Sequence, residues 1–119
     1  SNSLQRLDLQ GNALRRLRLD RTAFPQLSKL NLTGNQISCV EVAEHPCLEI
    51  LLVGDNQLKE LEMKEWRLPN LHTLDLSNNA DLTELDFSEM VPSPSLKLLN
   101  LRDCRLTKLI LPSNLDCIE

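Results

Sequence analysis

Aromatic side chains are almost missing from this chain of 119 residues, which has two Phe, one Trp and no Tyr. Such a protein lacks the flat stacking surfaces on which single-stranded nucleic acids bind, and its core must be aliphatic. Glycine is equally scarce, with three residues, so no glycine-rich loop can cradle a phosphate. The only histidines are His45 and His72, and no nucleophile stands at a suggestive spacing from either. The cysteines, Cys39, Cys47, Cys104 and Cys117, form no CxxC pair and no zinc-type spacing. No apolar run is long enough to span a bilayer, and no secretory leader opens the chain. The absences predict no catalytic residues, no cofactor, no metal ligands, no nucleic-acid partner and no direct membrane insertion.

What fills the chain instead is one pattern, L-x-x-L-x-L-x-x-N, restarting every 21 to 25 residues. Its copies are LQRLDLQGN (4–12), LSKLNLTGN (27–35), LEILLVGDN (48–56), LHTLDLSNN (71–79) and LKLLNLRDC (96–104). In L-x-L the two leucines point to one side of an extended chain, and the residue between them points to the other. Stacked copies predict a parallel sheet with Leu7, Leu30, Leu51, Leu74 and Leu99 in one buried row. Leu9, Leu32, Val53, Leu76 and Leu101 make the next row. Asn12, Asn35, Asn56 and Asn79 fall where the chain leaves the strand. A buried turn has donors and acceptors that water cannot reach, and an amide side chain satisfies both kinds. Cys104 ends this structural ladder, its small thiol taking the space of the amide.

The second half of each repeat is nearly as regular: LRRLRL (14–19), ISCVEV (37–42), LKELEM (58–63), LTELDF (82–87) and LTKLIL (106–111). Spacing of three and then two predicts extended or 3₁₀-like arcs, since no segment has room for convincing helical periodicity. Pro25, Pro46, Pro69 and Pro94 each precede a new strand by two residues and suit the returning bend. The fourth repeat carries two extra residues around Ala80–Asp81, expected as a small bulge beyond Asn79. A period of this kind describes a solenoid. Residues 1–119 therefore read as one segment of about five repeats, at 4–26, 27–47, 48–70, 71–95 and 96–119.

These registered copies, spread over essentially the whole chain, resemble the leucine-rich-repeat family, in its intracellular form. The resemblance implies an α/β solenoid, a right-handed horseshoe segment with a parallel β-sheet on its concave side and little regular helix. The even arcs and the closing LTKLILPSNL (106–115) are also similar to repeats of PH-domain leucine-rich-repeat phosphatases and of Roco-type GTPase kinases. Solenoids need polar caps at their ends. The pattern runs from Leu4 to near the last residue without one, which predicts a piece of a longer array. Homodimers through its end repeats would then be artefacts of truncation.

Charge is unevenly spread within a net −4. Residues 1–26 hold five Arg against two Asp, whereas 71–95 hold five acids (Asp75, Asp81, Glu84, Asp86, Glu89) and no Lys or Arg. Such a band could steer a basic partner, although a solvated surface is the plainer account. The Arg group Arg15, Arg16, Arg18 and Arg21 lies on the outer arc without an aromatic platform. Ser93–Pro94 forms a weak proline-directed phosphorylation signal, and Trp66 reads as a plug for the core.

With chemistry set aside, surface remains. The residues flanking the strand leucines must face the concave side, and most are polar: Lys29, Asn31, Thr33, Thr73, Asp75, Ser77, Asn100 and Arg102, with Leu98 among them. The middle row differs, because Ile50 and Leu52 place two large aliphatic groups at its centre. An apolar centre with a polar rim is the anatomy of a protein-binding patch. The expected function is a non-enzymatic protein-interaction module, a scaffold in cytoplasmic signalling, binding a protein partner or a neighbouring domain of its own chain. One alternative is the regulatory arm of a multidomain phosphatase or Roco-type enzyme. Another is an extracellular receptor or adhesion fragment, supported by the Asn31-Leu32-Thr33 glycosylation sequon and a conceivable Cys39–Cys47 bridge. Free thiols in a reducing compartment are the plainer reading of the cysteines.

Overall fold

A computed structural model describes residues 3–20, 22–90, 95–112 and 114–115. Pro94, the Ser93–Pro94 signal, Arg21 and Cys117 lie outside the described residues. In chain order the first strands are β1 (Arg6–Asp8), β2 (Arg16–Leu19), β3 (Lys29–Asn31), β4 (Cys39–Val42), β5 (Ile50–Leu52) and β6 (Thr73–Asp75). They are followed by β7 (Glu84–Asp86), a 3₁₀ turn at Phe87–Glu89, β8 (Ser95–Leu96), β9 (Leu98–Asn100), β10 (Lys108–Ile110) and β11 (Asn114–Leu115).

One parallel sheet of five strands, ordered β1-β3-β5-β6-β9, carries the L-x-L segment of every repeat. Its register is unbroken: Leu7, Leu30, Leu51, Leu74 and Leu99 stand side by side. The arcs pair more sparingly, β2 with β4 and β7 with β10, and the third arc (58–63) joins neither pair. The fold is thus a parallel solenoid of extended arcs, with the leucine-rich-repeat horseshoe layout. The two alternating sheet faces follow directly from the period of two in L-x-L.

The interior is a single aliphatic column. Leu30, Leu51, Leu74 and Leu99 are all at 0% exposure, and Leu32, Leu48, Leu58 and Leu82 join them. Trp66 and Phe87 are the largest side chains in it, at 1% and 0%. The first repeat, stacked on one side only, leaves Leu7, Leu9, Leu14 and Leu17 partly uncovered. Burial thus comes from neighbouring coils and not from any coil alone.

Local sequence sets each corner. Leu27 N–H donates to Phe24 C=O, Leu48 to His45 and Leu71 to Leu68, at 3.0 to 3.2 Å. Pro25, Pro46 and Pro69 are therefore second residues of these β-turns, where a fixed φ is favourable. The residue before each ladder position has a left-handed backbone: Gly11, Gly34, Asp55, Asn78 and Asp103, with φ from 53° to 72°. Gly, Asp and Asn tolerate that region best, so this column of the repeat is chosen by backbone sterics. In the fourth repeat Leu82 N–H closes a turn onto Asn79 C=O at 3.0 Å, absorbing the insertion at Ala80–Asp81.

Two arcs end in carboxylate turns. Asp86 accepts from the hydroxyl and N–H of Ser88, and Asp20 from Thr22 and from the N–H of Ala23. The hydroxyl bond, then the backbone bond, holds each carboxyl below its ordinary range. A depressed folded value means stabilisation present above the unfolded carboxylate value and lost as pH falls through the folded one. Ser88→Ala should return the Asp86 midpoint, followed by carboxyl-carbon NMR, toward the ordinary carboxylate value. An unmoved midpoint would contradict this account.

Candidate functional site on the concave face

The register of the large sheet builds the face as three columns of side chains. The first is Arg6, Lys29, Ile50, Thr73 and Leu98; the second is Asp8, Asn31, Leu52, Asp75 and Asn100. The third follows the strands: Gln10, Thr33, Gly54, Ser77 and Arg102. Ile50 and Leu52 are half-buried, outside the core, while Leu51 between them is fully enclosed. They occupy the central strand, with Lys29 and Asn31 on one side and Thr73 and Asp75 on the other. Leu98 lies in register with Thr73 on the next strand. The residues expected to bind a partner thus form one contiguous surface.

The second column has a further role that sequence reasoning missed. Asp8 Oδ1 accepts from Gln10 N–H, Asn31 Oδ1 from Thr33 N–H, Asp75 Oδ1 from Ser77 N–H and Asn100 Oδ1 from Arg102 N–H, at 2.9 to 3.1 Å. Each side chain caps its own strand exit, so one oxygen of each is already committed within the protein. The signal was legible: Asp or Asn recurs at this column everywhere except at Leu52. Asn31 Nδ2, the atom a glycan would occupy, donates to Gln10 Oε1 at 3.2 Å.

Behind the face runs the asparagine column. Asn56 Oδ1 accepts from Ile37 N–H at 2.9 Å, and its Nδ2 donates to the carbonyls of Leu32, Val53 and Gly54. Asn35 and Asn79 repeat this arrangement, accepting from Leu14 and Leu58 N–H respectively. Asn12 bonds, among the described residues, to the carbonyls of Leu9 and Gln10 and is exposed. Cys104 Sγ donates to Leu76 C=O at 3.1 Å, and burial pushes its thiol up. Leu82 N–H needs no acceptor from Cys104, because Asn79 C=O already receives it. The insertion and the thiol therefore compensate one another.

Chemistry elsewhere is sparse. His45 is fully buried, and its Nε2 lies 2.9 Å from Ala23 C=O, so that nitrogen donates and Nδ1 has no partner among the described residues. His72, half-buried, has Nδ1 2.9 Å from Thr73 Oγ1 and Nε2 3.9 Å from Glu49 Oε1. It shares a surface cleft of about 490 Å³ with Cys47, Glu49 and Lys97, which the sequence had kept apart. A second cleft, of about 440 Å³, crosses the outer arcs above Leu19, Val42 and Trp66 with Glu41, Glu62 and Lys64 at its rim. Cys39, Cys47 and Cys104 are free thiols. Among the described residues no cluster of His, Cys, Asp or Glu could hold a metal, and no helix is long and apolar enough to cross a membrane.

Comparison with known proteins agrees with this architecture. The leucine-rich-repeat family model matches residues 95–117. Over 128 aligned positions the chain is 32% identical to the mouse (Mus musculus) protein named transforming growth factor beta activator LRRC32. That alignment takes in 97% of this chain but 19% of the relative, so the chain spans about a fifth of its length. Stacked L-x-L strands, the buried asparagine column and these two matches together make the chain a leucine-rich-repeat protein.

Proposed function

We propose that this segment is a non-enzymatic protein-interaction module, binding a protein partner through its concave sheet. Leucine-rich-repeat domains generally bind proteins, and the observation supporting this site is the placement of Ile50 and Leu52. They stand half-exposed at the centre of a polar face whose register fixes them there. Partly solvated aliphatic groups in the middle of a rigid sheet are poor for solubility and good for recognition. The repeats act as scaffold, and a neighbouring domain of the same chain is an equally suitable occupant. The free thiols of Cys39, Cys47 and Cys104 favour a cytoplasmic setting for that role, in signalling. A second reading has its own support: the mouse relative is named as an activator of a growth factor, and growth factors act outside cells. On that reading the same face binds an extracellular protein.

The double variant Ile50→Asp with Leu52→Asp tests the site. Both side chains lie outside the core, so the circular-dichroism melt should stay within a few degrees of the parent protein. Capture of the partner by the full-length protein should be abolished. Capture at the original level would remove the patch from the account.

A further inference from the structure

The concave face breaks its own rule at the third repeat. In the other four repeats the N–H two residues after the second-column side chain is held by that side chain's oxygen. Leu52 has no oxygen to offer, and among the described residues nothing accepts from the equivalent donor, Gly54 N–H. Gly54 is a buried residue, and unpaired backbone donors in buried positions are rare enough that each calls for a reason. This one sits beside Ile50 and Leu52, at the same spot. A Leu in place of Asn or Asp forfeits a hydrogen bond and exposes aliphatic surface, the reverse of what stability selects.

The surroundings specify what would fit. Gly54 carries no side chain over its own N–H, and a Cβ there would meet Ser77 Oγ at 3.0 Å and Asp75 Oδ1 at 3.5 Å, so these two side chains bound the position on one side. Lys29 stands in register with Ile50 and makes no ion pair among the described residues; Arg6 is in register beyond it. A ligand here needs an acceptor for the N–H, an aliphatic group for Ile50 and Leu52, and a carboxylate placed on the side of the two cations, away from Asp75, which is in register with Leu52.

We infer that the third repeat docks an extended acidic segment of the protein partner. This rests on the concave-face reading above. An aliphatic side chain seats against Ile50 and Leu52, and the backbone carbonyl adjoining it accepts from Gly54 N–H. A nearby carboxylate of the segment reaches Lys29 and Arg6. The segment is extended because a helix has already committed its interior carbonyls to its own N–H groups.

The probe is a capped peptide, acetyl-Asp-Ser-Leu-Ser-amide, titrated into the 15N-labelled 119-residue chain and followed by amide and methyl NMR. The Gly54 amide proton should move downfield and saturate, together with the Ile50 and Leu52 methyl signals. The same peptide with its leucine replaced by serine should leave them in place. Leu52→Asn returns the missing oxygen, so it should raise the melting temperature by a few degrees and weaken the peptide at least about tenfold. A melt that stays level or falls overturns the argument from the missing cap. Methyl shifts without a Gly54 amide shift overturn the docking geometry while leaving the concave reading standing. No shift on this face at millimolar peptide overturns the inference, and the double aspartate variant then judges the concave reading by itself.

Discussion

Asn56→Ala should lower the melting temperature by roughly 10–20 °C, a large effect for a single polar substitution. The side chain is 7% exposed and answers Ile37 N–H together with the carbonyls of Leu32, Val53 and Gly54. Alanine supplies none of these bonds, and the turn is too enclosed for water to replace them all. A buried group left without a partner costs about 1–3 kcal/mol, so several together amount to roughly 3–5 kcal/mol. Asn12→Ala is the internal control: its amide is exposed and bonds, among the described residues, within its own turn, so the change should be small. Thermal unfolding followed by circular dichroism reads both. Equal effects at the two positions would show that the column is not what holds successive turns together.

Trp66 should separate volume from polarity. Trp66→Ala empties the largest fully buried side chain of the core and should cost about 3–5 kcal/mol. Trp66→Phe should cost far less. The indole Nε1 is enclosed with no hydrogen-bond partner among the described residues, so removing it relieves a desolvation penalty that offsets much of the lost packing. Urea unfolding of the two variants gives the comparison directly. A Phe variant as unstable as the Ala variant would mean the indole nitrogen is satisfied and the ring position is worth more than its volume.

The sequence made the sheet legible because a period of two leaves no freedom. Once Leu30, Leu51 and Leu74 share a row, Lys29, Ile50 and Thr73 must share the opposite face. The asparagine column was legible for a similar reason, since one side-chain type answers a turn that needs both donors and acceptors. The clefts were harder to see. Cys47 and His72 are far apart along the chain, and only the proline-led bends at Pro46 and Pro69 bring them to one surface. The capping role of Asp8, Asn31, Asp75 and Asn100 was hidden because polar residues on an exposed face look alike until their hydrogen bonds are known. With those bonds assigned, Leu52 changes from one hydrophobic residue among polar neighbours to the single omission in a repeated device.

The most direct measurement places a photo-activated cross-linking residue at single positions of the full-length protein. Thr73 and Asn100 report on the concave sheet, while Arg16 and Lys59 report on the arcs. This structure predicts partner adducts from the first pair and few or none from the second. Adducts confined to Arg16 and Lys59 would contradict the assignment of recognition to the inner face.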